Sequence, residues 1–363
     1  MGESDVRPRT LVIAEAGVNH NGSLDLALEL VDVAAAAGAD VVKFQTFKAE
    51  KLATSKATKA AYQVENTGEG GSQLEMLRRL ELLPEHHHAL VVRCRERGIR
   101  FMSTAFDSES LAFLGTLDMP AVKIPSGDIT AAPLVLQASR LGLPITVSSG
   151  MSTLADLEAA LGVIAFGLTS KAQPTSSRDF AAAFASPAGQ AALRDRVTLL
   201  HCTTQYPAPA EAVNLRAMDT MASAFGLPVG YSDHTAGIEV SLAAVARGAV
   251  VIEKHFTLDR NLPGPDHAAS LEPGELKQLV AGIRTIEAAL GSARKHASAA
   301  ELPNVPVARR SLVAARPIRR GEVLVEDMLT SKRPGTGVSP LLLWDHVGRP
   351  ASRDYDTDDA IEP

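Results

Sequence analysis

Eight short apolar segments, each followed by a helical pattern, dominate the first part of this chain. They are rich in Val and Ile and predict strands at LVIAEA (11–16), ADVVKFQTF (39–47), IRFMSTA (99–105), AVKIP (121–125), PITVSS (144–149), VTLLHCTT (197–204), LPVGYS (227–232) and AVVIEKHF (249–256). Strict alternation of strand and helix over about 280 residues predicts an α/β fold, a closed (β/α)₈ TIM barrel. An open Rossmann-like sheet is the alternative, but no GxGxxG motif follows any of these strands.

Composition excludes several classes of protein. The chain has 363 residues, 45% of them hydrophobic and 21% charged, which is ordinary for a globular protein. A net charge of −6 provides no basic stripe, so we expect no nucleic-acid partner. We expect a cytoplasmic protein without a membrane partner, because the two cysteines fit a reducing compartment and no signal-peptide or membrane-helix segment is visible.

The sequence predicts two domains. Residues 1–291 form the barrel domain, and the longer, more polar connection at about 167–196 is a predicted surface insertion with some helix of its own. Residues 292–305 are linker-like. Residues 306–363 predict a small β-rich domain with little core of its own.

Polar side chains follow the predicted barrel strands where each strand ends. They are Glu15 and Asn19, Lys43 and Gln45, Ser103 and Thr104, Lys123 and Ser126, Ser148, His201 and Tyr206, His234, and His255. In a barrel, catalytic groups collect at the C-terminal ends of the strands. A single residue of this kind could simply cap the next helix, but a succession of them predicts an active site.

Two histidines follow the last two predicted strands, His234 in GYSDHT and His255 in EKHFT. Neutral imidazoles close together suit a divalent transition metal, with the other coordination positions left to water or substrate oxygen. Each histidine has polar neighbours, but an ordinary loop or core histidine is the alternative interpretation. The residues alone leave both open.

Lys43 and Lys123 predict two ammonium groups at one barrel mouth. Such a pair suits phosphate or carboxylate binding, although either lysine could instead form a Schiff base. Hydroxyl groups that could complete an anion cradle belong to Thr104, Ser126 and Ser148. Glu15 is expected to stay ionised beside the lysines and to bind a hydroxyl or manage a proton, with a plain salt bridge as the alternative.

Two features away from the strand ends have less specific predictions. Asp266 ends the turn PGPD and is either a substrate ligand or a cap. His86, His87 and His88 are consecutive on a predicted helix and cannot share one face, so they predict a surface run rather than a metal site.

Nine motifs together resemble the sialic acid synthase family from about residue 10 to about 355. They are IAEAGVNHNGS, GADVVKFQTF, FMSTAFD, VKIPSGD, SSGM, LLHCTTQYP, GYSDHT, IEKHFTLDRNLPGPDHAASLEP and KRPGTG. The resemblance implies a barrel fused to a small antifreeze-like (SAF) domain in a domain-swapped homodimer. It also implies condensation of phosphoenolpyruvate with an open-chain N-acetylated mannose-type sugar, giving a nine-carbon 2-keto acid and phosphate.

The same resemblance implies roles for individual residues. His234 and His255 would hold a divalent metal that polarises the sugar aldehyde, with Mn²⁺ first and Mg²⁺ or Co²⁺ as alternatives. The residues matching phosphoenolpyruvate contacts are Lys43, Lys123, Thr104, Ser126 and Ser148, and those beside the reacting centre are Glu15 and Gln45. Tyr206 and Asp266 match sugar contacts, and Arg333 matches an arginine that reaches the N-acetyl group from the partner's SAF domain.

Departures from the family pattern concern the acceptor sugar. Thr204 stands where many sialate-forming members have Asn, and Asp128 stands where Glu is preferred; both match the sugar side. The resemblance therefore implies an N-acetylneuraminate synthase, with an N,N'-diacetyllegionaminate synthase using 2,4-diacetamido-2,4,6-trideoxymannose as the alternative. Outside the family, a Schiff-base aldolase and a non-catalytic sugar-binding protein are the competing interpretations.

Overall fold

A computed structural model describes residues 9–68 and 70–363 of the chain. Contacts within it divide the chain into two compact units, with the division between Gly291 and Ser292. Within the described residues, no helix combines the length and the apolar character that a membrane span requires.

The first unit contains eight parallel strands. They are β1 (Leu11–Gly17), β2 (Val41–Thr46), β3 (Arg100–Ala105), β4 (Val122–Ile124), β5 (Ile145–Ser148), β6 (Val197–Cys202), β7 (Val229–Asp233) and β8 (Val251–His255). The hydrogen-bonded order is β3-β2-β1-β8-β7-β6-β5-β4, and β3 also contacts β4, so the strands close into a barrel. The predicted (β/α)₈ fold is confirmed.

Helices follow every strand of the barrel. They are α1 (Leu24–Ala36), α2 (Ala49–Leu52), α3 (Ala61–Thr67), α4 (Gln73–Arg78), α5 (Pro84–Arg97), α6 (Ser108–Leu114), α7 (Ala132–Ser139), α8 (Leu154–Thr169), α9 (Ser177–Ala185), α10 (Pro187–Arg196), α11 (Ala210–Val213), α12 (Ala217–Phe225), α13 (Glu239–Ala246) and α14 (Pro273–Leu290). The predicted insertion at 167–196 consists largely of α9 and α10. It contributes Leu193, which is buried, to the main core.

Strand periodicity puts alternate side chains inside the barrel. On β1, Val12 and Ala14 belong to the core shared with the helices, whereas Ile13 packs with Val41 and Val251 in a separate cluster. Two residues further along the same strand face, Glu15 pairs in register with Lys43 and with His255. The barrel interior is therefore apolar at one level and charged at the next level towards the C-terminal ends.

The second unit contains a two-stranded antiparallel sheet, β9 (Ser311–Ala314) with β10 (Leu329–Lys332). Two short helices, α15 (Val305–Ala308) and α16 (Leu343–His346), accompany it. Its core is built around Leu312, Met328 and Tyr355. The predicted linker at 292–305 belongs to this unit and includes a 3₁₀ turn, Leu302–Asn304.

Candidate active site

A cavity of about 260 Å³ lies at the C-terminal ends of the barrel strands. It receives side chains from strands on all sides of the barrel. Twelve of the fourteen residues predicted for the site line it: Glu15, Lys43, Gln45, Thr104, Lys123, Ser126, Ser148, Thr204, Tyr206, His234, His255 and Asp266. The barrel topology therefore brings together residues that are up to about 250 positions apart in the sequence.

A chain of buried charges forms one part of the cavity lining. Lys43 Nζ lies 2.7 Å from Glu15 Oε2 and 3.5 Å from Glu253 Oε2, and it donates to Thr104 Oγ1 at 3.0 Å. Lys123 Nζ donates to Glu253 Oε1 at 2.6 Å. Glu253 thus bridges the two ammonium groups. Together the two lysines have two carboxyl partners, Glu15 and Glu253.

Burial gives the two carboxyl groups different charge states. It raises the pKa of Glu15 to about 7; Lys43 opposes this rise and Glu253 adds to it. Burial also opposes ionisation of Glu253, but Lys123 and Lys43 together hold its pKa below the ordinary value. Ionisation is therefore favoured at Glu253 and opposed by burial at Glu15. Because the Glu15 carboxyl neutralises the lysines incompletely, the cluster favours an anionic ligand.

The two histidine rings lie next to each other in the cavity lining, with centroids 5.7 Å apart and ring planes at 57°. Burial lowers the pKa of His234 to about 4 and that of His255 well below its ordinary value, so both rings are neutral at pH 7. His234 Nδ1 lies 2.6 Å from the Thr203 carbonyl oxygen. Because a carbonyl only accepts, Nδ1 carries the proton and Nε2 keeps a free lone pair.

These features fit a divalent metal. His255 Nδ1 is buried without a hydrogen-bond partner among the described residues, so it can act as a ligand. The carbonyl bound to His234 is the outer partner that metal-binding histidines usually have. Residues 9–68 and 70–363 contain no group of three or more His, Cys, Asp or Glu side chains suited to a metal. An ion here would therefore take its other ligands from water or substrate, as in an open catalytic site.

Aromatic side chains cover the histidines. The Tyr206 ring packs on His234 with centroids 4.1 Å apart and meets His255 edge-on at 5.7 Å. Tyr62, from α3, in turn packs on Tyr206, with ring centroids 5.1 Å apart. The rings restrict water around the imidazoles, which accords with the lowered histidine pKa values.

Gly150 leaves space for the hydroxyl groups next to it. Its N–H donates to Ser126 Oγ at 2.9 Å. A Cβ at this position would lie 2.1 Å from Thr204 Oγ1 and 2.8 Å from Ser126 Oγ, so no other residue fits without rearrangement. Ser148 ends β5 two residues earlier and also lines the cavity. Hydroxyl donors and a lysine, Lys123, thus converge on one side, as the predicted anion cradle requires.

A second ion pair lies directly behind the histidines. Asp233 Oδ2 is 3.0 Å from Lys254 Nζ, and both side chains are almost completely buried. Asp233 also accepts from the Thr235 backbone N–H, the Thr235 hydroxyl and the Ser241 hydroxyl, at 2.6–2.8 Å. Asp233 directly precedes His234, and Lys254 directly precedes His255. The ion pair therefore fixes the backbone that carries both imidazoles.

Comparisons with known proteins match this arrangement. The NeuB family model matches residues 30–295, and the SAF domain model matches residues 309–360. The N,N'-diacetyllegionaminic acid synthase of Campylobacter jejuni is 46% identical over 353 residues, covering 97% of this chain and 99% of that protein. The protein of the same name from Legionella pneumophila is 45% identical over 337 residues, covering 93% and 89%. The chain belongs to the NeuB family.

A solved NeuB-type relative supports the same assignment. The N-acetylneuraminic acid synthetase of Leptospira borgpetersenii superposes with a TM-score of 0.66 at 31% identity, covering 84% of this chain and 94% of that one. The small antiparallel sheet of the second unit lies within the residues matched by the SAF model. The predicted sialic acid synthase family and SAF-type second domain are confirmed.

Two predicted site residues of this NeuB-family chain lie outside the cavity lining. Asp128 ends the 3₁₀ turn Ser126–Asp128, which directs Ser126 to the main cavity and Asp128 to a small separate one between β4 and α7. Burial raises the pKa of Asp128 to about 6. Arg333 belongs to the second unit, where it is exposed directly after β10. Their assigned sugar contacts stay predictions.

Glu15 makes the salt bridge to Lys43 that was the alternative prediction, and burial raises its pKa above the ordinary value. Two expectations from the sequence are corrected. His87 is buried rather than part of a surface run; its ring lies 2.7 Å from Thr46 Oγ1 and 2.9 Å from the Leu83 carbonyl oxygen. Asn19, at the end of β1, supports loops instead of lining the cavity, since its amide donates to the Phe256 carbonyl.

Glu253 is the functional residue that the sequence reasoning missed. It lies two positions before His255 on β8, so strand periodicity puts both side chains on the same face. The available signal was the pair of charged residues, Glu253 and Lys254, inside a short buried strand. The lining residues from α3 and α4, among them Tyr62 and Leu77, were also missed, since the stretch between β2 and α5 has no strand end to mark it.

Proposed function

We propose that this chain condenses phosphoenolpyruvate with an acetylated amino sugar and is an N,N'-diacetyllegionaminic acid synthase. The observation that carries the reaction class is the joint placement of a lysine pair, a neutral histidine pair and a buried Glu15 with a raised pKa in one cavity. The two relatives with that name, at 46% and 45% identity, favour this acceptor. The second candidate is N-acetylneuraminate synthase, favoured by the structural match at 31% identity.

The proposed reaction forms one carbon–carbon bond and one carbon–oxygen bond, the latter with water, and breaks the carbon 2–oxygen bond to phosphate. Carbon 3 of phosphoenolpyruvate attacks the aldehyde carbon of the open-chain sugar, leaving a cationic centre at carbon 2. Water adds to carbon 2, and the tetrahedral product loses phosphate through cleavage of the carbon 2–oxygen bond. The result is a nine-carbon 2-keto acid and phosphate.

Lys43 and Lys123 would hold the carboxylate and phosphate of phosphoenolpyruvate. Both ammonium groups are buried, where charge attraction is stronger than in water. Hydroxyl donors that would add to the lysines are those of Thr104, Ser126 and Ser148. Glu253 holds both lysines in place, and the partial positive charge of the cluster offsets part of the ligand's negative charge.

Glu15 is suited to move a proton. A group whose pKa is about 7 can both accept and donate at neutral pH, which is the condition for efficient general acid–base catalysis. We assign it the proton of the water that adds to carbon 2. Gln45 Nε2 lies 3.5 Å from Glu15 Oε1 and orients this carboxyl beside the reacting atoms.

His234 and His255 would hold the divalent metal, with Mn²⁺ proposed first and Mg²⁺ or Co²⁺ as alternatives. When bound, such an ion supplies Lewis-acid polarisation of the aldehyde oxygen. Tyr206 shields both imidazoles from water and orients the sugar, and Asp266 supplies a carboxyl on the same side. Thr204 would contact the acceptor next to Tyr206.

The family resemblance also supports a domain-swapped homodimer. In that arrangement Arg333 of one copy contacts the N-acetyl group of the acceptor bound by the other copy. Because phosphoenolpyruvate is a metabolite of the cytoplasm, we propose a cytoplasmic location for the reaction.

Phosphate release tests this function. The protein is incubated with Mn²⁺, phosphoenolpyruvate and either 2,4-diacetamido-2,4,6-trideoxymannose or N-acetylmannosamine, and phosphate is measured over time. We expect release with both sugars and a higher kcat/KM for the diacetamido sugar. A higher kcat/KM for N-acetylmannosamine would favour the second candidate. No release with either sugar contradicts the synthase and supports a non-catalytic sugar-binding protein.

One observation favours a Schiff-base aldolase as a competing function. Burial lowers the pKa of Lys123, which makes its amine more readily available as a nucleophile. The hydrogen bond to Glu253 opposes this by holding the proton. Borohydride with pyruvate distinguishes the two, because trapping would increase the protein mass only if a Schiff base forms. The Lys123→Met variant is the matched control, and we expect no labelling of either protein.

A further inference from the structure

One segment between β2 and α5 folds over the cavity and keeps its own shape. We call residues 59–68 and 70–80, which include α3 and α4, the strap. Lys59 Nζ donates to the carbonyl oxygens of Gly68 and Gly70 at 3.0 and 2.6 Å. Its ammonium group therefore links the start of the strap to residues that follow α3. Asn66 Nδ2 donates to the Pro265 carbonyl at 2.6 Å, which anchors the strap to the loop after β8.

The strap provides an apolar wall of the cavity. Val18, Phe47 and Phe106 directly follow β1, β2 and β3, and they pack with Met76 and Leu80 of the strap in a cluster of their own. Leu77 is half-buried against this cluster. Five of its members also line the cavity: Val18, Met76, Leu77, Leu80 and Phe106. The side of the mouth formed by β1–β3 therefore carries a group of apolar side chains above the charged level of Glu15 and Lys43, while the strap also presents Tyr62 and Gln63 to the cavity.

The other side of the mouth is polar. Thr204 and Tyr206 follow β6, and Asp266 follows β8. An acceptor bound between the two sides presents hydrogen-bonding groups to one and a carbon surface to the other. A hydroxyl group turned towards Leu77 would lose its water without gaining a partner from that side chain.

We propose that the strap determines acceptor specificity, and that Leu77 receives the terminal methyl group of a 6-deoxy sugar in preference to a hydroxymethyl group. This inference rests on the proposed function and names the structural basis of its acceptor preference. An apolar pocket discriminates against one added hydroxyl group by about 100-fold at most. We therefore expect Leu77 to contribute about tenfold of the preference between the two sugars.

The test replaces the apolar contact with a polar one of similar size. In Leu77→Asn, the ratio of kcat/KM for the diacetamido sugar to that for N-acetylmannosamine should fall about tenfold. The KM for phosphoenolpyruvate should stay unchanged, because the lysines lie at the other level of the cavity. Leu77→Met keeps an apolar side chain and should keep the ratio. Leu83→Asn is the matched control, since Leu83 is 50% exposed and lies outside the cavity lining.

The outcomes separate this inference from the proposed function. An unchanged ratio in Leu77→Asn, with thermal unfolding like that of the wild type, overturns the role of the strap. If the wild type releases no phosphate with either sugar, the proposed function fails, and calorimetric binding of both sugars to wild type and variant then measures the same ratio. Should Leu77→Asn not fold, Leu77→Thr makes the same polar change with less volume.

Discussion

Asp233 and Lys254 form a buried ion pair whose two halves should contribute unequally to stability. Without Lys254, the Asp233 carboxylate keeps three donors, two from Thr235 and one from Ser241. Without the Asp233 carboxylate, the Lys254 ammonium keeps one acceptor, the Thr235 carbonyl oxygen. Asp233→Asn should therefore destabilise the protein more than Lys254→Met does.

The size of the effect follows from the charge that remains. Removing one partner of a buried pair costs about 3–5 kcal/mol. The loss of stability in Lys254→Met should lie at or below the lower limit of this range, about 2–3 kcal/mol. The reason is that the remaining carboxylate keeps hydrogen bonds, and hydrogen bonds to a charged group contribute about 1.5–3 kcal/mol each. For Asp233→Asn the loss of stability cannot exceed the free energy of removing the proton from Lys254, because the folded variant can hold this lysine as a neutral amine. Neutralising an amine with an ordinary pKa of 10.5 at pH 7 costs about 5 kcal/mol.

This limit makes the Asp233→Asn deficit depend on pH. Burial already lowers the pKa of Lys254, and removing the carboxylate lowers it further. The unfolded state then binds more protons than the folded state, so the stability of this variant rises with pH relative to wild type. Between pH 7 and pH 9 the deficit should shrink, by at most about 1.4 kcal/mol per pH unit.

Urea unfolding at pH 7, 8 and 9 measures these differences. Wild type, Asp233→Asn and Lys254→Met are compared, and Ser241→Ala is the control that removes one donor without removing a charge. A larger loss in Lys254→Met than in Asp233→Asn would refute the reasoning. So would an Asp233→Asn deficit that does not change between pH 7 and pH 9.

Three further predictions concern the cavity and the proposed dimer. Chelation with EDTA, or His255→Ala, should abolish phosphate release without unfolding the protein, and full activity in metal-free buffer would contradict the metal. Arg333→Ala should raise the acceptor KM while the KM for phosphoenolpyruvate stays constant. Mixing this variant with His234→Ala under subunit exchange should restore about a quarter of wild-type activity in a domain-swapped dimer, whereas no recovery would contradict the swap. Burial raises the pKa of Asp266 to about 6, above 3.8 in the unfolded chain, so its ionised form destabilises the folded state at neutral pH. Asp266→Asn should therefore stabilise the protein by about 3 kcal/mol at pH 8, and a urea midpoint that rises equally at pH 4 would count against this cause.

Strand positions and twelve of the cavity-lining residues were readable from the sequence. Most barrel strands are short apolar runs with polar residues within or just after their C-terminal ends, as Lys43 on β2 and His255 on β8 illustrate. The alternation of helix and strand then fixes which ends meet, because parallel strands present their C-terminal ends on one side. This is why residues as distant as Glu15 and His255 could be assigned to one site from the sequence, whereas Asp266 was assigned to it only through the family resemblance.

Charge states and loop paths were not readable in the same way. Glu15 has a raised pKa because of its complete burial and the nearby Glu253 carboxylate, and neither is visible in the residues around position 15. His87 is buried because α5 turns this one member of the histidine run towards Thr46, a tertiary contact. Asp128 turns away from the cavity because a 3₁₀ turn, rather than an extended strand end, carries it.

The first part of the strap, up to the start of α4, is a closed excursion of the chain. The Gln73 backbone N–H donates to the Ala57 carbonyl oxygen at 3.3 Å, so one hydrogen bond joins the two ends of this excursion. Doubling the length of such an excursion costs only about 0.6 kcal/mol of closure entropy. The segment can thus be exchanged between relatives as a cassette, with the barrel that performs the chemistry left intact. Grafting straps from other nonulosonate synthases onto this barrel is accordingly a practical route to catalysts for new acceptor sugars.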